Sequence, residues 1–418
     1  MADAAGPPQG GNAPGGTAVG VGGRNTSFKV LVLNQISENG LKRLPAPGYS
    51  TGKDIAHPDA VLVRSADMHA MDIPASVQAI GRAGAGTNNI PVKAMSARGV
   101  PVFNAPGANA NAVKELVLAG MLMAARNLAP AQRFVEQLDP ASDALDKTVE
   151  DGKKNFAGVE LAGQTLGVIG LGKIGCLVAD AAIKLGMDVM GYDPEITVDA
   201  AWSLPSQVRR ATSVADVLKN SDFITIHVPL VEATRDLVNE KNTGLLKPGA
   251  VLLNFSREGV VNDKAVLAAL DAKALGWYIC DFPNGAILRH AKVVALPHLG
   301  ASTREAEENC AIMVANQLRD YLENGNIANA VNFPNVSMER ESRFRVAIAN
   351  ANVPNMLGQI STAMANAGLN IHNMVNKSRG DMAYTLVDVD SPVGDSAMAA
   401  LKAIEGVLAV RYLPAAAQ

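Results

Sequence analysis

The chain has 418 residues, 48% of them hydrophobic and 18% charged, with a formal net charge of −3. That length allows two or three domains, and so small a net charge leaves no electrostatic footprint for nucleic acid or an anionic membrane. No apolar run approaches the roughly 18 residues of a membrane-spanning helix. The three cysteines, Cys176, Cys280 and Cys310, lack metal-ligand spacing and read as reduced residues of a cytoplasmic protein without a metal.

Met1 to about Ser27 is rich in Gly, Pro, Ala and Asn and reads as a disordered tail, without the basic start and apolar stretch of a signal peptide. Phe28–Leu33 and Ala60–Arg64 are predicted as buried strands. A weaker strand, Val77–Ile80, leads to the loop Arg82-Ala-Gly84-Ala85-Gly86-Thr-Asn88-Asn89, and Val100–Asn104 is a short strand. Strands alternating with helical stretches predict a parallel sheet flanked by helices. Asn109–Arg126 is a long helix opened by Asn residues suited to capping.

From about Val159 to Pro297 the pattern predicts six strands: Thr165–Ile169, Asp188–Tyr192, Phe223–His227, Val251–Phe255, Gly276–Cys280 and Val293–Leu296. Six strands separated by helices match a Rossmann unit. Ser302–Asn324 reads as another long helix, and Asn332-Phe-Pro-Asn as a linker. Phe344 to Leu413 then follows a strand–helix–strand–strand–helix–strand order, which is ferredoxin-like. So small a unit is expected to pack on another copy or domain that covers its sheet edge. A homo-oligomer, dimer or tetramer, follows as an expectation.

Chemistry concentrates in one ordered set of residues. Thr165–Ile169 runs into Gly170-Leu-Gly172-Lys173-Ile174-Gly175. Gly170 suits the tight turn, Gly172 the approach of a pyrophosphate, and Gly175 close helix–strand packing. The helix start offers free N–H groups and a partial positive charge to phosphates. Asp193 stands 18 residues beyond Gly175, near the usual offset of about 20 for a ribose-binding acid. A carboxylate there repels a 2′-phosphate, which favours NAD over NADP. Arg257 and His298 each follow an apolar run. Guanidinium binds carboxylates in a bidentate manner, and an imidazole, with an ordinary pKa of about 6.5, takes protons near neutral pH. A nucleotide fold with this pair points to oxidation or reduction of a small hydroxy acid.

These motifs, Gly170–Gly175, Asn254-Phe-Ser256-Arg257-Glu-Gly and Pro297-His298-Leu-Gly300-Ala-Ser-Thr303, resemble the D-isomer-specific 2-hydroxyacid dehydrogenases. Arg82–Asn89 and Asn104-Ala-Pro-Gly-Ala-Asn-Ala extend the likeness, which runs from about Phe28 to Leu413, and the C-terminal unit resembles an ACT domain. The implied architecture is α/β: a Rossmann-type cofactor domain (124–301) inserted in a flavodoxin-like substrate domain (28–123 and 302–335), then a ferredoxin-like ACT regulatory domain (344–418). The resemblance implies that Lys173, Ile174, His227, Val228, Pro229, Ser256, Asp281 and Gly300 join the glycines and Asp193 around NAD. Arg64 and Ser65 would meet a substrate phosphate, Gly84 and Ala85 would offer N–H groups to the carboxylate, and Asn104 and Asn109 would border the cleft. Asn350, Asn352 and Asn370 resemble the amino-acid effector pattern of ACT domains, with L-serine as the candidate effector, although Asn350 stands where serine-regulated relatives often carry a histidine; the alternative is a purely structural oligomerisation domain.

One departure stands out. The family carries a glutamate that orients the catalytic histidine, a few residues after the strand ending near Asp281. This chain has Asp281-Phe-Pro-Asn-Gly-Ala286 there. His298 is therefore expected to work without a carboxylate partner, held by water or a backbone carbonyl. Lys153 and Lys154 read as a solvated charge patch; His57, His69, His290 and His372 as bystanders; Met121 and Met123 as core filler. The expected reaction is NAD-dependent oxidation of D-3-phosphoglycerate to 3-phosphohydroxypyruvate, opening L-serine synthesis. The alternatives are another D-2-hydroxy acid, such as glycerate or 2-hydroxyglutarate, or a non-catalytic NAD(H) sensor.

Overall fold

The computed structural model describes residues 27–415. The reading of a disordered tail therefore lies outside the described residues, apart from Ser27. Among the described residues the strands form three sheets.

The first sheet contains β1 (Phe28–Leu33), β2 (Tyr49–Gly52), β3 (Ala60–Val63), β4 (Ala79–Arg82) and β5 (Val102–Phe103), in the order β2-β1-β3-β4-β5. All its pairings are parallel, in the flavodoxin-like order. β2 was not predicted, because it is an edge strand with only Tyr49 buried and so carries little apolar signal. The predicted strand at Val77 begins two residues later, since the Val77 N–H closes a turn onto the Pro74 carbonyl.

The second sheet comprises β6 (Thr165–Ile169), β7 (Asp188–Tyr192), β8 (Arg209–Arg210), β9 (Phe223–Ile226), β10 (Ala250–Asn254), β11 (Leu275–Cys280) and β12 (Val293–Ala295). Its order is β12-β11-β10-β9-β6-β7-β8, again all parallel. Seven strands replace the six expected. The addition, β8, is two exposed arginines at the sheet edge, which no hydrophobic pattern could reveal.

Two helices link these sheets. Ala110–Ala125 packs beneath the second sheet, where a Cβ at Gly120 would lie 3.1 Å from both Ile279 and Phe255 side chains. Asn109 occupies its N-cap position but makes no side-chain cap bond, contrary to the expected capping. Arg304–Asn324 is capped by the Thr303 hydroxyl, which accepts from the Ala306 N–H, and stops at Gly325 with φ +76°. It packs against the first sheet so closely that a Cβ at Gly81 would meet Val314 at 2.4 Å.

The expected linker at Asn332 is not one. Asn332 Oδ1 accepts from the Val102 N–H, while its Nδ2 donates to the Val100 carbonyl and Ser96 Oγ. Phe333 is fully buried. The physical reason is the short edge strand β5, whose open backbone groups need partners.

The third sheet is antiparallel, with β13 (Phe344–Ala351), β14 (Ile371–Arg379), β15 (Met382–Val389) and β16 (Val407–Pro414) in the order β14-β15-β13-β16. Helices Met356–Asn366 and Asp395–Lys402 cover one face around Ile348, Ile360, Val387 and Leu401. Its other face joins the first sheet's core: Ala347, Tyr384 and Leu386 pack with Leu318, Tyr321 and Phe333. A neighbouring part of the chain thus covers a face of this sheet, where an edge was expected to need covering.

Candidate active site

Ligands of parallel α/β sheets bind beyond the carboxyl ends of the strands, where the order reverses. In the second sheet that point lies between β6 and β9. Gly170 closes β6 with φ +93°, and a Cβ there would strike the His227 carbonyl at 2.6 Å. Gly175 lies so close to the turn that a Cβ would fall 2.0 Å from the Gly170 oxygen. Gly172, the N-cap of helix Lys173–Lys184, faces open space. Its small size serves no internal packing and leaves room for a phosphate to approach the helix start.

Asp193, at the end of β7, accepts from the Leu171 N–H at 2.8 Å and the Glu195 N–H at 2.9 Å. It is thus fixed beside the glycine turn. His227 Nε2 meets Thr225 Oγ1 at 2.9 Å, and burial pushes the imidazole down to about 3. It is neutral at physiological pH and offers a wall, not a charge. Val228 lines the same turn against Gly170, whereas Ile174 packs into the sheet's core. The Pro229 carbonyl accepts from Thr234 Oγ1. These residues fit a dinucleotide: a cradle for phosphates, and a carboxylate fixed beside it.

The chemistry-bearing side chains follow the next strands. β10 ends at Asn254, whose Oδ1 accepts from the Ser256 N–H and hydroxyl and whose Nδ2 donates to the Arg257 carbonyl. This buried amide shapes the turn that presents Arg257. The guanidinium is exposed and donates from Nη1 to the Ser256 carbonyl at 2.6 Å. It does not pair with Glu258. Its Nη2 lies 3.8 Å from where a Cβ would stand on Gly86, so the two sheets' loops face each other here.

His298 is exposed and takes a left-handed backbone, φ +57°. Asp281, only 1% exposed, secures the turn: Oδ1 accepts from the Leu299 N–H and Oδ2 from the Gly300 N–H, each at 2.7 Å. Burial raises the Asp281 carboxyl above its usual range despite those bonds. Its carboxylate is thus engaged with the His298 loop. Among the described residues no carbonyl or carboxylate bonds the His298 ring nitrogens, and the Phe282 ring lies 5.0 Å away, tilted by 55°.

Arg64 and Arg82 close β3 and β4 on the first sheet's side. Arg64 Nη2 donates to Glu307 at 2.5 Å, and Arg82 Nε donates to the Arg64 carbonyl at 3.0 Å. Burial, then the neighbouring Arg64 and Arg257, lower the Arg82 guanidinium below the usual arginine range. Arg64 and Arg82 are thus tied together at the end of the first sheet, and Arg257 reaches toward the adjoining Gly86 loop from the second. Beside them a cavity of about 460 Å³ is lined in part by Asn34, Ser37, Lys53, Arg64, Arg304 and Glu307.

Not every expected residue is free for substrate. The Ser65 N–H donates to Asn34, the Gly84 N–H to the Arg82 carbonyl, and Asn104 Nδ2 to the Ala85 carbonyl, bracing that loop from behind. Lys173 lies against Gly107 of the first sheet's loops. Lys153 pairs with Glu150 in solvent, as a charge patch should. Arg82, Asn254, Phe282 and Glu307 were missed as site residues. Only Arg82 had a usable signal, its place between a strand and a glycine loop.

The model of the "D-isomer specific 2-hydroxyacid dehydrogenase, NAD binding domain" family matches residues 118–300. A D-3-phosphoglycerate dehydrogenase of Methanocaldococcus jannaschii is 34% identical over 380 residues, covering 86% of this chain and 69% of that protein. The Escherichia coli K12 protein of the same name is 33% identical over 348 residues, covering 80% and 81%. The chain belongs to the D-isomer-specific 2-hydroxyacid dehydrogenase family. A crystal structure of NAD⁺-bound 3-phosphoglycerate dehydrogenase from Entamoeba histolytica shares the fold, with TM-score 0.57 and 24% identity over 73% of this chain and 99% of that one.

This dehydrogenase is thus an oxidoreductase whose central sheet is the family's NAD-binding domain. Among its described residues no helix is long and apolar enough to cross a membrane, and no cluster of His, Cys, Asp or Glu could hold a metal. In the third sheet Asn350 is fully buried, with Nδ2 on the Ala351 carbonyl, while Asn352 and Asn370 are exposed. A soluble effector would reach the latter two directly, and not Asn350.

Proposed function

We propose that this dehydrogenase oxidises D-3-phosphoglycerate to 3-phosphohydroxypyruvate with NAD, as the cytoplasmic entry to L-serine synthesis. The observation that carries this reading is the set of arginines at the facing ends of the two sheets: Arg64 lining the cavity, Arg82 bonded to the Arg64 carbonyl, and Arg257 facing the Gly86 loop. A single arginine suffices for a carboxylate, and two more suit a phosphate at the far end of the substrate. The named relatives support the same choice.

Bound NAD supplies the two-electron oxidant. Arg257 holds the substrate carboxylate, and the free Ala85 N–H assists it. His298 takes the proton of the C2 hydroxyl and passes it to solvent from its exposed ring. Arg64 and Arg82 hold the phosphate, while Asp193 accepts from the adenosine ribose. The proposed domains are a discontinuous substrate domain (28–123 and 302–335), a cofactor domain (124–301) and a regulatory domain (344–418). L-serine would bind the regulatory domain at Asn352 and Asn370. Helices Leu128–Glu136 and Leu145–Lys153 leave Leu128, Val135 and Val149 exposed, which supports a homo-oligomer built on these two helices.

The test is NADH formation from D-3-phosphoglycerate and, separately, from D-glycerate, with and without L-serine. Turnover of the phosphorylated acid at much higher kcat/KM is the expected result. Equal rates on both acids would reject the phosphate assignment, and rates indifferent to serine would reject the effector.

A further inference from the structure

We propose that Phe282 is the positioning residue for His298, fixing the direction of the imidazole by aromatic contact and not by a hydrogen bond to a ring nitrogen. This rests on the preceding reading only in taking His298 as the acid/base.

Consider what holds His298 in place. Its backbone lies in the left-handed region, uncommon for residues other than Gly, and the loop that carries it needs support from its surroundings. Two consecutive residues beyond β11 meet that requirement. Asp281, buried at the strand end, binds the Leu299 and Gly300 N–H groups through both carboxylate oxygens and so fixes the loop. Phe282, partly buried, presents its ring to the imidazole at 5.0 Å between centroids and 55° between planes. That separation lies within the roughly 4.5–7 Å range of attractive aromatic pairs, and the rings are tilted, not stacked face to face. Four other histidines are held differently, through a ring nitrogen: His69 by the Asn88 carbonyl, His227 by Thr225, His290 by Asp271 and His372 by Glu341.

The chemical consequence is specific. A hydrogen-bonded orienting group selects the tautomer as well as the direction of a histidine. An aromatic neighbour selects direction alone and leaves both nitrogens available. The C2 hydroxyl proton moves to one ring nitrogen, and the exposed ring then releases a proton to water from either.

The test compares the full-length protein with Phe282→Leu, which keeps apolar bulk without a ring, and Phe282→Tyr, which keeps the ring. Histidine ring protons are followed by NMR with ¹³C-labelled histidine, His298 being assigned by loss of its signal in His298→Gln. Phe282→Leu is expected to shift the His298 resonances by removing a ring current, leaving the other five of the six histidines in place. It should lower kcat about tenfold, a fraction of what misorientation of a catalytic group can cost, with substrate KM and NADH affinity within about twofold. Phe282→Tyr should restore the shift and most of the rate. Unmoved His298 resonances, equal rates for the Leu and Tyr variants, or a loss confined to KM would overturn the proposal. A wild-type protein that binds NADH but oxidises neither D-3-phosphoglycerate nor D-glycerate would overturn the functional reading instead, and the NMR comparison would still decide the role of Phe282.

Discussion

Arg345 and Arg257 carry the same guanidinium into opposite settings. Arg345 is fully buried in the third sheet, and five hydrogen bonds engage its N–H groups: two to Asp388 and one each to the carbonyls of Asn324, Met338 and Glu339. Around it, Tyr384 donates to the Gly325 carbonyl, and Arg411 donates to the Tyr321 and Leu322 carbonyls while lying 4.4 Å over the Tyr321 ring. Arg257 stands exposed at the cleft with one bond, to its neighbour's carbonyl. A saturated guanidinium locks parts of the chain together and has nothing left to offer a ligand. An unsaturated one, oriented by Asn254 from behind, retains the capacity to bind an anion. The C-terminal unit is therefore fixed rigidly to the end of helix Arg304–Asn324, whose other end follows the His298 loop in the chain.

The sharpest challenge to this contrast is removal of the cleft's acid/base. His298→Gln should lower kcat by about 10²–10⁴-fold while costing stability no more than the roughly 0.5–1.5 kcal/mol of an aromatic pair with Phe282. Steady-state kinetics and calorimetry on the same variant check both halves. A drop in stability equal to the drop in rate would erase the distinction between the two regions.

Asp388→Asn probes the other side. It leaves Arg345 buried without its counter-charge, and breaking a buried pair in this way costs about 3–5 kcal/mol. Denaturant unfolding should show that loss, with NADH binding retained in the folded protein. The pH dependence has a definite sign. Burial pushes the Asp388 carboxyl up, but its bonds to Arg345 and the Glu341 N–H outweigh that and hold it below the usual carboxylate range. A depressed carboxyl contributes stability that is complete above its unfolded value of about 3.9 and is lost as pH falls through the folded value. The wild type should therefore lose stability on acidification more steeply than Asp388→Asn.

Arg257→Gln should be milder. Hydrogen bonds to charged groups contribute about 1.5–3 kcal/mol, so kcat/KM should fall roughly 10- to 150-fold by that range. Arg257→Lys should recover only part, since an ammonium cannot make the bidentate pair. Full recovery with lysine would mean that Arg257 acts as a point charge.

The two regions also differ in how far the sequence revealed them. The glycine turn, Asp193, Arg257 and His298 were legible because each occupies a fixed offset from a strong apolar strand. Most strand positions were legible for the same reason, whereas β2 and β8, edge strands with little or no buried apolar surface, were not. The docking of the third sheet was hidden, because Arg345 and Asp388 are 43 residues apart and read singly as surface charges. Long-range pairing of that kind leaves no local period. Phe282 was invisible as a partner of His298 for a related reason: an apolar residue after a strand reads as core. The missing glutamate marked the place but not what fills it.

The smallest expected effect tests how the cleft's cations are kept ready. Arg64 donates to Glu307 at 2.5 Å, yet both side chains are about a third or more exposed, at 34% and 40%. Such a pair is worth only about 0–1 kcal/mol, weak enough for a phosphate to compete for the guanidinium. Glu307→Gln removes the competing charge and the repulsion between Glu307 and an incoming phosphate. KM for D-3-phosphoglycerate should therefore fall by up to about fivefold, the equivalent of that energy, with kcat unchanged. D-Glycerate, which has no phosphate, should show no such change. A KM that rises would mean that Glu307 orients Arg64 and does not compete for it, and an equal gain with both acids would place the Arg64–Glu307 pair away from the substrate's phosphate end.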